Sequence, residues 1–248
     1  MPAFFSEYNI YVSIGSLAGL VAISLVVFYT MQLIPTFKEA NIANQNANKK
    51  MREKSFYSPN VKNGILGSGL GYLVNYLIIL PLTITFEFSS VWNVLFSIFI
   101  ILMVYDFFYY LMHRFLFHGD NRFFKTVHAV HHQMKNPSRG DSSYLHWLEG
   151  TMGVLLFGFT VGGLSLIFGK FDLVSIVITM WLYQEINLHN HAIFETDTFP
   201  FKTLHKISAD HHRHHINFNK GNYSSITLLY DWMFGTYETE ETTPLKQL

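Results

Sequence analysis

The stretch SSVWNVLFSIFIILMVYDFFYYLM, Ser89 to Met112, carries a single charge, Asp106, and opens directly onto HRFLFH, His113 to His118. An apolar helix of about 20 residues crosses the ~30 Å hydrocarbon core of a bilayer. This one delivers two imidazoles to the point where it emerges. Similar segments lie on either side. Ile10 to Ile34 has no charge and is closed by Pro35; Ile65 to Phe86 contains Pro81, which predicts a kink. Met152 to Phe168 and the shorter Leu173 to Leu188 follow, joined by the tight turn Gly169-Lys170-Phe171-Asp172. These last two form a helical hairpin, either spanning or re-entrant. The fold expected is all-α: a multi-pass transmembrane helical bundle of four to five segments, with a helical cap holding a His-rich site. Residues 1–62 form an N-terminal membrane helix and a polar, basic connector, and residues 63–248 the membrane-embedded catalytic domain. No Lys or Arg precedes Ile10, so the first segment does not resemble a secretory signal.

The composition agrees. Of 248 residues, 50% are hydrophobic and 14% charged, against about 25% charged in soluble domains. Seventeen acids balance seventeen Lys and Arg, which excludes a polybasic nucleic-acid binder and an acidic disordered chain. The absence of Cys excludes thiolate metal sites, iron–sulfur clusters and thiol catalysis. If all five segments span, sixteen of the seventeen basic residues share one side with every histidine; only Lys170 does not. The positive-inside rule places that side in the cytosol.

All thirteen histidines fall between His113 and His215. His113 and His118 are five apart and do not share a face of an ideal α-helix. His128, His131 and His132 repeat the spacing of His211, His214 and His215. Positions i, i+3 and i+4 lie on one helical face, so each triplet is expected to offer three imidazoles to a common point. His189 and His191 point to opposite faces, and His191 is the better candidate. His146 stands three residues before Glu149 and is a further candidate ligand. Asp106, Glu149 and Asp210 are the carboxylates expected to orient ligands. His205 fits no pattern, and His212 points away from its neighbour. About eight converging imidazoles exceed the needs of one zinc, and a haem takes only one or two axial histidines. Two irons at a membrane face, activating dioxygen beside a shielded lipid C–H bond, fit the count; zinc is a possible substitute. A metal or haem transporter is the competing reading. It would spread its ionisable residues along the spans, whereas here they gather at one end.

The order of these motifs resembles the fatty acid hydroxylase/sterol desaturase superfamily of integral-membrane di-iron enzymes. Flanking residues agree: Tyr144-Leu-His146-Trp-Leu-Glu149 is similar to its His-Pro-Leu-Glu segment, with Trp147 in place of Pro. Asn222-Tyr223-Ser224 resembles Asn-Tyr-Gly, and Tyr230-Asp231-Trp-Met-Phe234-Gly235-Thr236 resembles Trp-Asp-x-x-Phe-Gly-Thr. The likeness covers roughly residues 99–237. It implies O2-dependent hydroxylation or desaturation of a lipid such as a sterol or fatty acyl group, in the bacterial inner membrane or the endoplasmic reticulum. The two electrons would come from a cytochrome b5 or ferredoxin type of carrier, since no flavin, haem or nicotinamide motif is present in the chain.

Overall fold

A computed structural model describes residues 7–242 and 244–245. The chain is a helical bundle with two ends of different character. Helix α1, Ile10–Met31, starts at Asn9, whose side chain accepts the Tyr11 N–H. Pro35 then opens α2, Pro35–Arg52, because a missing N–H costs nothing in a first turn. The expected connector is therefore largely helical. Asn44 pins α2 to the rest of the chain: its Nδ2 donates to the Ile193 carbonyl, and its Oδ1 accepts the Arg139 and Ile193 N–H groups.

Helix α3, Tyr57–Val74, runs through a π-helical turn at Asn75–Ile79 into the short α4, Leu80–Thr83. Pro81 cannot donate to the carbonyl four residues back, that of Leu77. The Tyr8 hydroxyl takes that oxygen instead, at 2.9 Å. After α4, Ile84–Thr85 (β1) pairs in parallel with Phe171–Asp172 (β2).

Helix α5, Val91–Leu111, continues as a π-helix over Met112–Phe117. Beyond it come the short α6, Arg122–Ala129, and two 3₁₀ turns, His131–Gln133 and Arg139–Ser143. Helices α7, Trp147–Phe168, and α8, Leu173–Asn190, form the hairpin, turning at Gly169 with φ +83°. The chain then returns through α9, Lys202–Ile216, and α10, Leu229–Met233.

Among the described residues, four helices are long and apolar enough to cross a membrane: Ile10–Met31, Tyr57–Thr83, Val91–Phe117 and Trp147–Phe168. Their outward faces keep large apolar side chains exposed, among them Val26, Phe99, Phe159 and Leu166, as lipid contact requires. The chain is thus built as an integral membrane protein. Helix α8 carries Gln184, Glu185 and Asn187 and is more polar. Small residues let the helices close on one another. A Cβ on Gly67 of α3 would stand 1.9 Å from the Trp147 carbonyl of α7. The core around Ile101, Tyr105, Phe157, Ile176 and Tyr183 joins α5, α7 and α8. These helices deliver the ends of α5 and α8 to one place.

Candidate metal centre

Nine histidines meet at that end in two adjoining groups. His113, His118, His128, His132 and His214 form the first, and His131, His191, His211 and His215 the second; within each, one ring nitrogen per residue lies within 4.8 Å of every other. The rings of His132 and His215 connect the groups at 5.0 Å between centroids. The helical reading that sends each triplet to a common point does not hold. His128 and His132 serve the first group and His131 the second, whereas His211 and His215 serve the second and His214 the first. Each triplet gives an i, i+4 pair to one side and its remaining member to the other. The split does not depend on a helix break: α6 stops at Ala129 and a 3₁₀ turn begins at His131, whereas His211, His214 and His215 lie within the continuous α9. Consecutive residues of a helix point about 100° apart.

The pairing of His113 with His118 has an equally local cause. A π-helix hydrogen-bonds residues five apart, and the His118 N–H donates to the His113 carbonyl at 3.0 Å. The wider turn brings the rings to 4.9 Å between centroids. An α-helix would have parted them.

Most of the rings are fixed by their outer nitrogen. A carbonyl can only accept, so each Nδ1 facing one must carry the proton. In the first group Nδ1 of His113, His118 and His214 donates to the carbonyls of Tyr223, Phe218 and Gly221, at 2.6, 2.7 and 2.9 Å. In the second, His131 and His191 donate to Tyr144 and Asn187, at 3.2 and 2.8 Å. Their Nε2 lone pairs therefore point inward. Nε2 of His131 and of His191 face each other at 3.0 Å, an approach of two acceptors that calls for a cation between them or beside them. His118 Nε2 is buried with no partner. Burial also lowers the pKa of His128, His132, His211, His214 and His215, and lowers His118 and His131 to about 4. Neutral imidazole is the form that binds metal. The donor set fits a pair of metal ions held by nitrogen.

The remaining candidates are placed as follows. Glu149 Oε1 accepts from His128 Nδ1 at 2.8 Å, while its Oε2 is buried without a partner. Asp106 meets no histidine; it accepts the N–H groups of Ser225, Ile226 and Thr227 and the Thr227 hydroxyl. It thereby anchors the strand of chain whose Tyr223 carbonyl orients His113. Asp210 is taken up by Arg213, Lys206 and Tyr237. His146 and His189 stand outside both groups. His146 caps α7 by accepting the Leu148 N–H, and His189 Nε2 donates to the Leu204 carbonyl. His205 donates Nδ1 to Phe194, and His212 belongs to neither group.

Sequence reasoning named Asn222-Tyr223-Ser224 as a motif but gave no role to the loop Phe218–Tyr223, which orients three of the five rings of the first group. Asn222 holds it, in the left-handed region at φ 61°. Its Nδ2 donates to the Asp210 and Glu238 carbonyls, and its Oδ1 accepts the Glu238 N–H. Asp231 accepts the Tyr223 and Ser224 N–H groups. The signal was present, since Gly-Asn-Tyr is a turn composition, but a carbonyl has no signature in sequence. A cavity of about 380 Å³ adjoins the second group; His131, His191 and Glu149 line it together with Tyr72, Tyr105 and Gln184.

A helical membrane bundle thus carries two polyhistidine groups at one end, beside a cavity within the helices. The sequence profile of the fatty acid hydroxylase family matches residues 98–236, more than half of the chain, and the chain belongs to that family. It is 31% identical to methylsterol monooxygenase 1 of Rattus norvegicus over 134 residues, 54% of this chain and 44% of that protein. It is 29% identical to a methylsterol monooxygenase of Aspergillus fumigatus over 170 residues, 64% and 54% of the two chains. A very-long-chain aldehyde decarbonylase of Oryza sativa is 30% identical over 173 residues, 63% and 62%. The chain thus spans less than two thirds of each of these relatives. No solved structure matches it significantly.

Proposed function

We propose that the protein is an O2-dependent membrane oxygenase that hydroxylates or desaturates a lipid. The observation that carries this is the opposed Nε2 pair of His131 and His191, both of which line a cavity between the helices. The nine grouped histidines would hold two irons, which when bound supply the redox chemistry that dioxygen needs to attack a C–H bond. Hydroxylation balances as RH + O2 + 2 e⁻ + 2 H⁺ giving ROH + H2O; desaturation consumes the same inputs and releases two waters. The electrons would come from a separate carrier of the cytochrome b5 or ferredoxin type, docking on the basic, cytosolic side of the bilayer.

The chain's own residues would hold and orient. The carbonyls of Phe218, Gly221 and Tyr223 fix the rings of the first group, Glu149 fixes His128, and Tyr144 and Asn187 fix the second group. Tyr109 sets its ring edge against His113 at 5.3 Å and lines the cavity beside Glu149. The apolar part of the lining, among it Met112, Phe117, Val154 and Leu188, would shield the reacting carbon from water. The relatives named methylsterol monooxygenase and aldehyde decarbonylase support a lipid as substrate. The test is an untargeted lipid comparison of cells with and without the gene, under isotopically heavy dioxygen. A lipid that appears only with the gene, as a labelled alcohol or a new alkene, supports the reading. Unchanged lipids in cells that make iron-loaded protein contradict it.

A further inference from the structure

The cavity beside the second group reaches well into the bundle. Gln184 precedes His191 by seven residues along α8, nearly two full turns. At 1.5 Å per residue it therefore lies about 10 Å deeper on the same face. It lines the cavity together with Tyr72 of α3. Gln184 Nε2 donates to the Tyr72 hydroxyl oxygen at 2.9 Å.

An amide within an apolar bundle is costly unless its valences are met, and this bond meets only some of them. Among the described residues, Gln184 Oε1 receives no hydrogen bond, and the Tyr72 hydroxyl, already accepting from Gln184, has no acceptor for its own proton. Neighbouring Tyr183 differs, since its hydroxyl reaches the Gly153 carbonyl. The pair thus offers the cavity one acceptor and one donor, both uncharged. An alcohol satisfies both at once: its O–H donates to Gln184 Oε1 and its oxygen accepts from Tyr72. A carboxylate or phosphate has no proton to give, and no Lys or Arg lines this cavity to neutralise it. A bare hydrocarbon leaves both groups unmatched.

We propose that Gln184 and Tyr72 form a hydroxyl-recognition subsite, which selects a neutral lipid alcohol and sets a carbon about 10 Å from its hydroxyl at the histidines. The second half of this statement rests on the oxygenase reading above; the binding does not.

The test measures binding of lauryl alcohol and of dodecane to the full chain in lipid nanodiscs, corrected for partition into empty discs. The wild type should prefer the alcohol by about tenfold, the value of one or two net hydrogen bonds. Gln184→Leu and Tyr72→Phe should each reduce the preference to about twofold, with dodecane affinity and metal content unchanged. Unchanged metal content shows that the variants are folded. Equal affinity for alcohol and alkane in the wild type would overturn the proposal, as would an undiminished preference in both variants, or tighter binding of laurate. If the alcohol binds with this residue dependence but iron-loaded protein never oxidises a bound lipid, the oxygenase reading fails and the subsite stands.

Discussion

The two histidine groups are built differently. The first is held from outside the bundle, its rings turned by carbonyls of the Phe218–Tyr223 loop, which is itself latched by Asn222 and Asp231. The second is held from the bundle end, by Tyr144 before α7 and Asn187 within α8, and it faces the cavity. One group is therefore set by a late segment of chain that folds over it, and the other by helices that also shape the substrate space. The two are nevertheless interlocked, because each triplet contributes to both. That sharing fixes the spacing of the groups by covalent geometry.

The largest effects should come from breaking the shared triplets one member at a time. His131→Ala removes a ligand from the second group, and His214→Ala one from the first. Each should reduce bound metal from about two ions to about one and lower turnover at least ~100-fold. Elemental analysis and activity of the two purified variants decide this; full metal content in either would remove its histidine from the ligand set.

Next, Asn222→Ala deletes three hydrogen bonds and leaves a strained backbone, a cost of about 3 kcal/mol. The loss should fall on the first group alone, giving protein with one weakly held ion and a second group still loaded. Equal weakening of both would show that the loop does not act selectively.

Glu149→Gln is gentler, since an amide oxygen still accepts from His128 Nδ1 while the charge is lost. Metal affinity of the first group should fall about tenfold, read by competition with a chelator. The smallest change should follow His146→Ala and His189→Ala, whose nitrogens serve a helix cap and the Leu204 carbonyl. Metal content should stay the same, with about 1 kcal/mol of stability lost when the cap goes. A missing ion in either variant would add that histidine to the ligands.

The apolar helices were legible as long uninterrupted apolar runs, and the histidine triplets as a repeated spacing, because both are features of side chains. Ile10–Met31 and Trp147–Phe168 stand close to the segments read from sequence. What was not legible lies in the backbone. The π-turn that unites His113 with His118 shifts a face without altering composition. Asp106 shows the same limit. A buried acid one to two turns before a ligand suggests a bond to it, but three successive N–H groups of a loop 120 residues further on claimed the carboxylate instead.

The most direct measurement is the metal content of the purified chain from iron-replete cells, taken together with its optical spectrum. The two groups of five and four imidazoles predict about two irons per chain and no Soret band. One iron per chain, zinc alone under iron-replete expression, or a haem spectrum would contradict a two-iron centre.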